Sequence, residues 1–223
     1  MMMKKNIMTK NYLKADGMEM PMIFTEEEDC GQVFYDEDLD EIVIKGEIGE
    51  DFFYQFRKVF LPLVRSAING VDVQDEKGNV EVIYDKEIDI YIDSPGGCLD
   101  QAFCAVDLIE SAKAQGVKVN MSAATLCGSA ALLIYCVGSE RKAQPHSTFL
   151  FHQLSLSLGS FVKSIEVEEL AEQNRESWNE MKRITKMYTK VTDEFMDNVY
   201  KSKKDYFFKG KEALELGIVT ELY

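Results

Sequence analysis

The segment from Ile88 to Met121 constrains the fold more than any other part of the chain. Ile88–Asp93 alternates apolar and polar residues, which predicts a strand, and Ser94–Gly97 follows as a turn. Leu99–Gln115 has helical spacing and stops at Gly116, and Val117–Met121 predicts the next strand. A strand, a crossover helix and a second strand predict an α/β domain with a mostly parallel sheet and right-handed connections.

The rest of the chain alternates in the same way. The polar stretch Asn69–Gly78 is expected to be a surface loop, and Pro62 to interrupt or bend the helix that contains it. We expect residues 1–30 to form a flexible arm and residues 31–223 a single domain, since 223 residues suit one core. Further strands are predicted at Val33–Tyr35, Ile42–Ile44, Val80–Tyr84, Thr148–Phe151 and Ile218–Leu222, and helices at Asp51–Ile68, Gly128–Cys136 and Lys211–Leu216.

A long helical pattern runs from Phe161 to about Tyr200. Forty residues exceed one ordinary globular helix, so part of it should project from the domain or meet a partner. It contains more apolar residues than a single domain of this size needs to cover its core. Because soluble monomers avoid large exposed apolar patches, we expect a large homo-oligomer.

Composition excludes several classes of function. The net charge of −14 disfavours nucleic acid and anionic lipid as partners. The chain has no run of about 18 apolar residues, so we expect no membrane span. Lys4 and Lys5 are not followed by the apolar run of a secretory signal. Five cysteines without a CxxC pair suit a cytoplasmic protein with reduced thiols, and two histidines without metal-ligand spacing predict no metal site.

Three segments carry residues suited to chemistry. Ser94–Gly97 is either a plain strand-to-helix turn or a place where bare backbone N–H groups meet an oxyanion. Ser129 is either the N-cap of a helix or a nucleophile at its start. His152 ends an apolar strand, where a histidine is often a buried structural side chain. Together, Ser129 and His152 at neighbouring strand ends are what nucleophilic acyl transfer requires.

These segments resemble the Clp protease proteolytic subunit, a family of the crotonase-like superfamily. The resemblance runs from about Glu41 to the C-terminus, and Tyr91–Gly97 reads YIDSPGG where the family has YINSPGG. Three further blocks follow in the family's order, at Cys127–Gly138, Gln144–Leu154 and Glu212–Leu222. The resemblance implies a crotonase-like fold of repeated β-β-α units with a long protruding handle helix.

The resemblance also implies a serine endopeptidase. Ser129 would be the nucleophile and His152 the general base, and the N–H groups of Gly97 and Ala130 would bind the oxyanion. The family forms paired heptameric rings that are fed unfolded polypeptides by an ATPase unfoldase. It needs no metal or organic cofactor.

The sequence departs from the family at several points. Lys201 stands where the family's third catalytic residue is an aspartate, so we expect Lys201 to point outwards and Asp205, or else Asp197, to replace it. Leu154 replaces the proline after His152-Gln, and an acidic insertion occupies about residues 70–85. The chain is therefore a divergent relative, such as a phage head-maturation protease or a bacterial paralogue.

Two other functions remain open from the sequence. The first is a ring subunit whose catalytic triad has decayed, which Lys201 favours and the retained Ser129 and His152 oppose. The second is a crotonase-type enzyme acting on acyl-thioesters, which needs oxyanion donors but no serine–histidine pair.

Overall fold

The computed structural model describes residues 32–74, 80–155 and 163–223, and the expected arm at residues 1–30 lies outside them. The α/β organisation predicted from the sequence is confirmed. The strands are β1 Gln32–Asp36, β2 Glu41–Ile48, β3 Val71–Gln74, β4 Val80–Ile83, β5 Glu87–Gly97, β6 Lys118–Gly128, β7 Arg141–Ala143, β8 Thr148–Phe151, β9 Tyr206–Lys209 and β10 Glu221–Leu222. The helices are α1 Phe52–Asn69, α2 Leu99–Ala114, α3 Ser129–Cys136, α4 Ser164–Tyr188, α5 Asp193–Ser202 and α6 Gly210–Glu215.

The main sheet is forked at β6. Its strand order is β1-β2-β5-β6-β7-β10, and all of these neighbours are parallel except β1 and β2. The first half of β6 pairs with β7, whereas its last three residues, Leu126–Gly128, pair in parallel with β8. Strand β8 in turn pairs with β9 in the antiparallel direction. The fork therefore brings the ends of β6 and β8 side by side.

One face of the sheet is buried beneath helices. On β5 the buried apolar side chains are those of Ile88, Ile90 and Ile92, whereas the alternating residues Glu87 and Tyr91 remain at least partly exposed. Helices α1 and α2 pack together, and the aromatic side chains of Phe52, Phe56 and Phe60 stack along α1. The first helix continues through Pro62, so the expected interruption is wrong. A proline lacks an N–H donor, yet the apolar face around it keeps this helix packed.

The long helical pattern divides into two helices. Helix α4 ends at Tyr188, Thr189 has an extended backbone, and α5 begins after Thr192, whose hydroxyl accepts the N–H of Phe195 at 3.1 Å. The reading of 161–200 as one helical stretch is thus corrected, because a threonine N-cap starts a new helix. Residues 161 and 162 lie outside the described part.

The first half of α4 leaves the body of the domain. Ile165 and Val167 are exposed, whereas Trp178, Met181 and Ile184 in the second half are buried. The expectation that part of this segment projects agrees with this gradient. None of the helices in the described ranges is long and apolar enough to cross a membrane.

Several boundaries differ from the sequence prediction. Ser94–Gly97 continues strand β5 instead of forming a separate turn, and β6 extends to Gly128 rather than ending at Met121. The expected loop after Asn69 contains β3, which forms an antiparallel hairpin with β4, and residues 75–79 between them are outside the described part. Strands β7 and β9 were missed because three or four residues carry too little periodicity.

Arg141 on β7 joins three backbone segments through four carbonyl groups. Its guanidinium donates to the carbonyl oxygens of Ile218 and Gly138, each at 2.7 Å, and of Tyr188 and Gly217, each at 3.0 Å. The side chain is buried, with 7% exposed. It therefore satisfies carbonyl groups at or just beyond the C-terminal ends of α3, α4 and α6.

Candidate active site

Ser129 lies at the junction between β6 and α3. Its backbone has φ +52°, one of three described non-glycine residues with positive φ. Such a conformation is unfavourable for a residue with a Cβ and is found mostly where function requires it, at a cost of about 1–3 kcal/mol. Gly128, not Ser129, is the N-cap of α3, and no side chain caps this helix. The N-cap interpretation of Ser129 is therefore wrong.

His152 follows directly after β8 and faces Ser129. Because β8 lies parallel to the end of β6, with Leu150 opposite Gly128, the two strands deliver both residues to the same edge of the sheet. The Nε2 atom of His152 is 2.8 Å from Oγ of Ser129. Both side chains are partly exposed, so a substrate can reach them.

The second ring nitrogen of His152 sets its tautomer. Nδ1 is 2.7 Å from the carbonyl oxygen of Gln153. A carbonyl oxygen can only accept a hydrogen bond, so Nδ1 carries the proton. Nε2 is then unprotonated and accepts the hydroxyl hydrogen of Ser129. This is the tautomer that a general base needs.

Neither aspartate named as a replacement for the family's acid contacts His152. Asp197 is held by Lys182, with Nζ 2.6 Å from Oδ1, and Asp205 is exposed. Lys201 is exposed, as expected. Among the described residues, no carboxylate is within hydrogen-bond distance of His152. The expectation of a substitute carboxylate is therefore corrected, since a backbone carbonyl occupies Nδ1.

The two residues named as oxyanion donors flank Ser129 in different ways. Ala130 is the second residue of α3, so its N–H has no partner within the helix. Gly97 ends β5 with φ +145°, and a Cβ there would come within 2.4 Å of the backbone oxygen of Ile48. Their function as oxyanion donors stays a prediction.

Gly96 is the glycine that the sequence interpretation missed. A Cβ on Gly96, whose φ is +101°, would lie 2.6 Å from Cβ of Ser129 and 2.9 Å from the nitrogen of Ala130. The backbone of β5 therefore passes so close to Ser129 that only glycine fits. The signal was present in the paired glycines, but the sequence does not tell which one approaches the serine.

Three further features fix the backbone at the ends of β5 and β6. Oδ1 of Asp93 accepts the N–H of Leu126 at 3.0 Å, which joins β5 to β6. The buried hydroxyl of Ser94 accepts the N–H of Gly96 at 3.1 Å. A Cβ on Gly128 would lie 2.9 Å from the carbonyl oxygen of Pro95. The conformation at Ser129 is thus fixed by the neighbouring strand as well as by its own helix.

The surroundings of the site are apolar on the buried side. Cys127 is fully buried, and burial raises the pKa of its thiol well above the ordinary value. This cysteine is therefore neutral and packs as an apolar side chain. Among the described residues, no group of three or more Asp, Glu, His or Cys side chains could hold a metal ion.

An α/β fold that sets a strained serine beside a correctly protonated histidine is typical of serine hydrolases. The sequence model of the Clp protease family matches residues 81–223, and the chain belongs to this family. The sequence prediction of a divergent member is thereby confirmed.

Curated relatives and a solved structure agree with this assignment. The chain is 27% identical over 179 residues to the ATP-dependent Clp protease proteolytic subunit 2 of Gluconobacter oxydans, covering 78% of this chain and 76% of the relative. It is 28% identical over 141 residues to subunit 3 of Rhizobium etli, covering 62% and 69%. The structure of a ClpP1 point mutant from Listeria monocytogenes matches with TM-score 0.62 at 20% identity, covering 83% of this chain and 92% of the other. The predicted fold type is therefore confirmed.

Proposed function

We propose that this protein is a serine endopeptidase that cleaves polypeptides through an acyl-enzyme on Ser129, within a ring-shaped homo-oligomer. The observation that carries the proposal is the 2.8 Å contact between Oγ of Ser129 and Nε2 of His152. Membership of the Clp protease family supports peptide bonds as the substrate.

The reaction begins with attack by Ser129 on the peptide carbonyl carbon. Nε2 of His152 accepts the hydroxyl proton as the new bond forms, and the imidazolium that results keeps its Nδ1–H directed at Gln153. The carbonyl dipole of Gln153 orients the ring, but it stabilises the positive charge less than a carboxylate would. The hydrogen bonds of His152 therefore favour proton transfer, but no carboxylate of the described residues balances the charge of the imidazolium.

The N–H groups of Gly97 and Ala130 donate hydrogen bonds to the carbonyl oxygen as it becomes negatively charged. Such donors stabilise the tetrahedral intermediate because the charge develops only during the reaction. His152 then gives its proton to the leaving amine, and the acyl-enzyme on Ser129 remains. A water molecule, activated by His152 in the same way, releases the second product and restores Ser129.

Assembly and delivery of substrate form the second part of the proposal. The relatives are named ATP-dependent proteolytic subunits, so an ATPase unfoldase is the expected partner. The projecting half of α4, with Ile165 and Val167 exposed, suits burial in a contact with another subunit. A closed ring would restrict the sites to unfolded chains.

The proposal is tested with a fluorophosphonate probe, which reacts with activated serines. Wild-type protein should be labelled once, at Ser129, and should cleave a peptide substrate. Ser129→Ala should lose both properties, and turnover should fall by roughly three orders of magnitude or more. Ser111→Ala is the matched control, because Ser111 is exposed on α2. Equal labelling of wild type and Ser129→Ala would refute the assignment.

A subunit that no longer catalyses is the second candidate. The observation that favours it is the backbone carbonyl at Nδ1 of His152, together with Lys201 at the family's aspartate position. Such a subunit would form the oligomer but would neither react with the probe nor cleave peptides. Assembly without labelling would therefore select this candidate.

A further inference from the structure

Strand β6 has a bulge shortly before its end. Three of its residues, 124–126, lie between two that pair with β5, whereas on β5 a single residue, Asp93, lies between the corresponding partners. We call residues 124–126 the bulge. Strand β6 pairs with β7 before the bulge and with β8 from its last residue onwards. Bulges bend the strand that contains them and are common next to active sites, so this bulge is what turns the end of β6 towards β8.

Two side chains hold the backbone on either side of the bulge. Oδ1 of Asp93 accepts the N–H of Leu126, the last residue of the bulge, at 3.0 Å. The hydroxyl of Ser147 donates to the carbonyl oxygen of Ala123, the residue before the bulge, also at 3.0 Å. Ser147 is only 2% exposed, and its hydroxyl accepts the N–H of Gln144 at 3.1 Å. One end of the bulge is therefore tied to β5 and the other to the turn that precedes β8.

The bulge bears directly on the contact between Ser129 and His152. Three residue pairs join β6 to β8 before these two side chains meet. A shift of one residue along a strand moves its side chains by about 3.3 Å and reverses the face on which they lie. The 2.8 Å distance between Oγ of Ser129 and Nε2 of His152 would not survive such a shift. Contacts outside this short pairing must therefore help to fix its register.

We propose that Asp93 and Ser147 are positioning residues, which fix the bulge and, through it, the register of β6 against β8. The inference rests on the proposed function, because it concerns the same serine–histidine pair. Among the hydrogen bonds of the described residues, neither Asp93 nor Ser147 reaches Ser129 or His152. Both side chains therefore act on the site through the backbone.

The acceptor at position 93 distinguishes positioning from an effect of charge. Asp93 stands where the family motif has asparagine. A carboxylate and a side-chain amide each offer an oxygen that can accept the N–H of Leu126. Positioning requires this acceptor alone, whereas an electrostatic function would require the negative charge. Asp93→Asn should therefore preserve the site, and Asp93→Ala should not.

The first measurement is the rate of fluorophosphonate labelling. Asp93→Ala should react roughly a hundredfold more slowly than wild type, as expected for a displacement of about 1 Å at a catalytic site, whereas Asp93→Asn should stay within about threefold. Ser147→Ala should slow labelling at least about tenfold. Melting temperatures, recorded in parallel, report the general loss of stability in each variant.

Thr220→Val is the matched control. It removes a hydrogen bond of the same kind, in which the hydroxyl of Thr220 accepts the N–H of Arg141 at 2.8 Å, on the branch of the sheet that does not carry His152. This variant should label at the wild-type rate even where its melting temperature falls as far as that of Asp93→Ala.

The second measurement follows His152 by NMR and does not depend on reactivity. The chain has two histidines, so His146→Gln, at an exposed position, leaves His152 as the one imidazole. In that background, Ser129→Ala gives the ring resonances of His152 without the serine hydroxyl. Asp93→Ala should give the same resonances, because it separates the ring from the hydroxyl, and Asp93→Asn should match wild type.

Three results would overturn the inference. They are wild-type labelling and resonances in Asp93→Ala, an equal loss in Asp93→Asn and Asp93→Ala, and slow labelling of Thr220→Val. Failure of the proposed function is distinguishable from these, because wild type would then not be labelled at all. The resonances of His152 would still decide whether Asp93 positions the pair.

Discussion

Nδ1 of His152 donates a hydrogen bond to the carbonyl oxygen of Gln153, its immediate neighbour along the chain, at 2.7 Å. The contact holds the imidazole in the tautomer that leaves Nε2 ready to accept the proton of Ser129. A carboxylate at this position would add charge stabilisation, and replacing it in a serine protease can cost about 10⁴ in turnover, chiefly through the wrong tautomer. Here the tautomer is retained, so the loss of turnover caused by the missing carboxylate should be smaller.

The first prediction concerns the acidic residues near the C-terminus. Asp205→Asn should leave turnover within about threefold of wild type, because a carboxylate acts on this chemistry only when it contacts His152. The measurement is steady-state peptide hydrolysis. Asp197→Asn is the comparison: it removes the ion pair with Lys182 and should lower the melting temperature slightly without a large change in turnover. A fall of several orders of magnitude in Asp205→Asn, with melting unchanged, would reinstate Asp205 as the third catalytic residue.

The second prediction distinguishes two glycines with similar backbones. Gly96→Ala should abolish fluorophosphonate labelling, since its Cβ would collide with Cβ of Ser129 and with the carbonyl oxygen of Gly128, both at 2.6 Å. Gly116 also has positive φ, +86°, but a Cβ there meets nothing within 4 Å. Gly116→Ala should therefore cost only about 1–2 kcal/mol of stability and keep the label. Normal labelling of Gly96→Ala would show that the β5 backbone does not confine Ser129.

The third prediction concerns the four carbonyl groups bound by Arg141. Arg141→Met keeps much of the volume but leaves buried acceptors without donors, and it should reduce the free energy of unfolding by about 3–5 kcal/mol. Chemical denaturation measures the loss. Arg175→Met is the control, because Arg175 is exposed on α4 and its replacement should change stability by less than about 0.5 kcal/mol. If the two variants unfold alike, the carbonyl groups find other partners.

The fourth prediction concerns thiol reactivity. Burial raises the pKa of the Cys136 thiol to about 12, and Cys127 shifts in the same direction for the same reason. Because the thiolate is the reactive form, both cysteines should resist alkylation at pH 8 in the folded protein. Of the four cysteines in the described ranges, Cys104 is the exposed one and should react first. Peptide mass mapping after timed alkylation gives the order, and early modification of Cys136 would contradict it.

The raised pKa of Cys136 also has a consequence for stability at high pH. The unfolded chain loses this proton near the ordinary value of 9.0, whereas the folded chain keeps it to about 12. The contribution of this buried neutral thiol to the free energy of unfolding is therefore complete below about pH 9 and is lost as pH rises towards 12. Cys136→Ala should show a smaller fall in melting temperature over this range than wild type. An identical fall in both proteins would mean that other groups dominate.

Much of the fold followed from local patterns. The alternation in Ile88–Asp93 and the helical spacing of Leu99–Gln115 are properties of short segments, and both elements appear where predicted. Shorter or interrupted elements were less predictable: β7 and β9 have three and four residues, and the break at Thr189–Thr192 follows a helical pattern that continues on both sides. Periodicity reports which face is buried, but it does not report where the backbone stops being helical.

The candidate site was also predictable only in part. Sequence alone singled out Ser129 and His152, because a serine at a helix start and a histidine at a strand end are local features. Their separation of 2.8 Å depends on β8 pairing with the end of β6, which is a long-range contact. Counting along the chain pointed to Lys201, Asp197 and Asp205 as the third position, yet Nδ1 of His152 meets Gln153. Distance along the chain does not determine which acceptor a ring nitrogen reaches, since side-chain direction is set by packing of the whole domain.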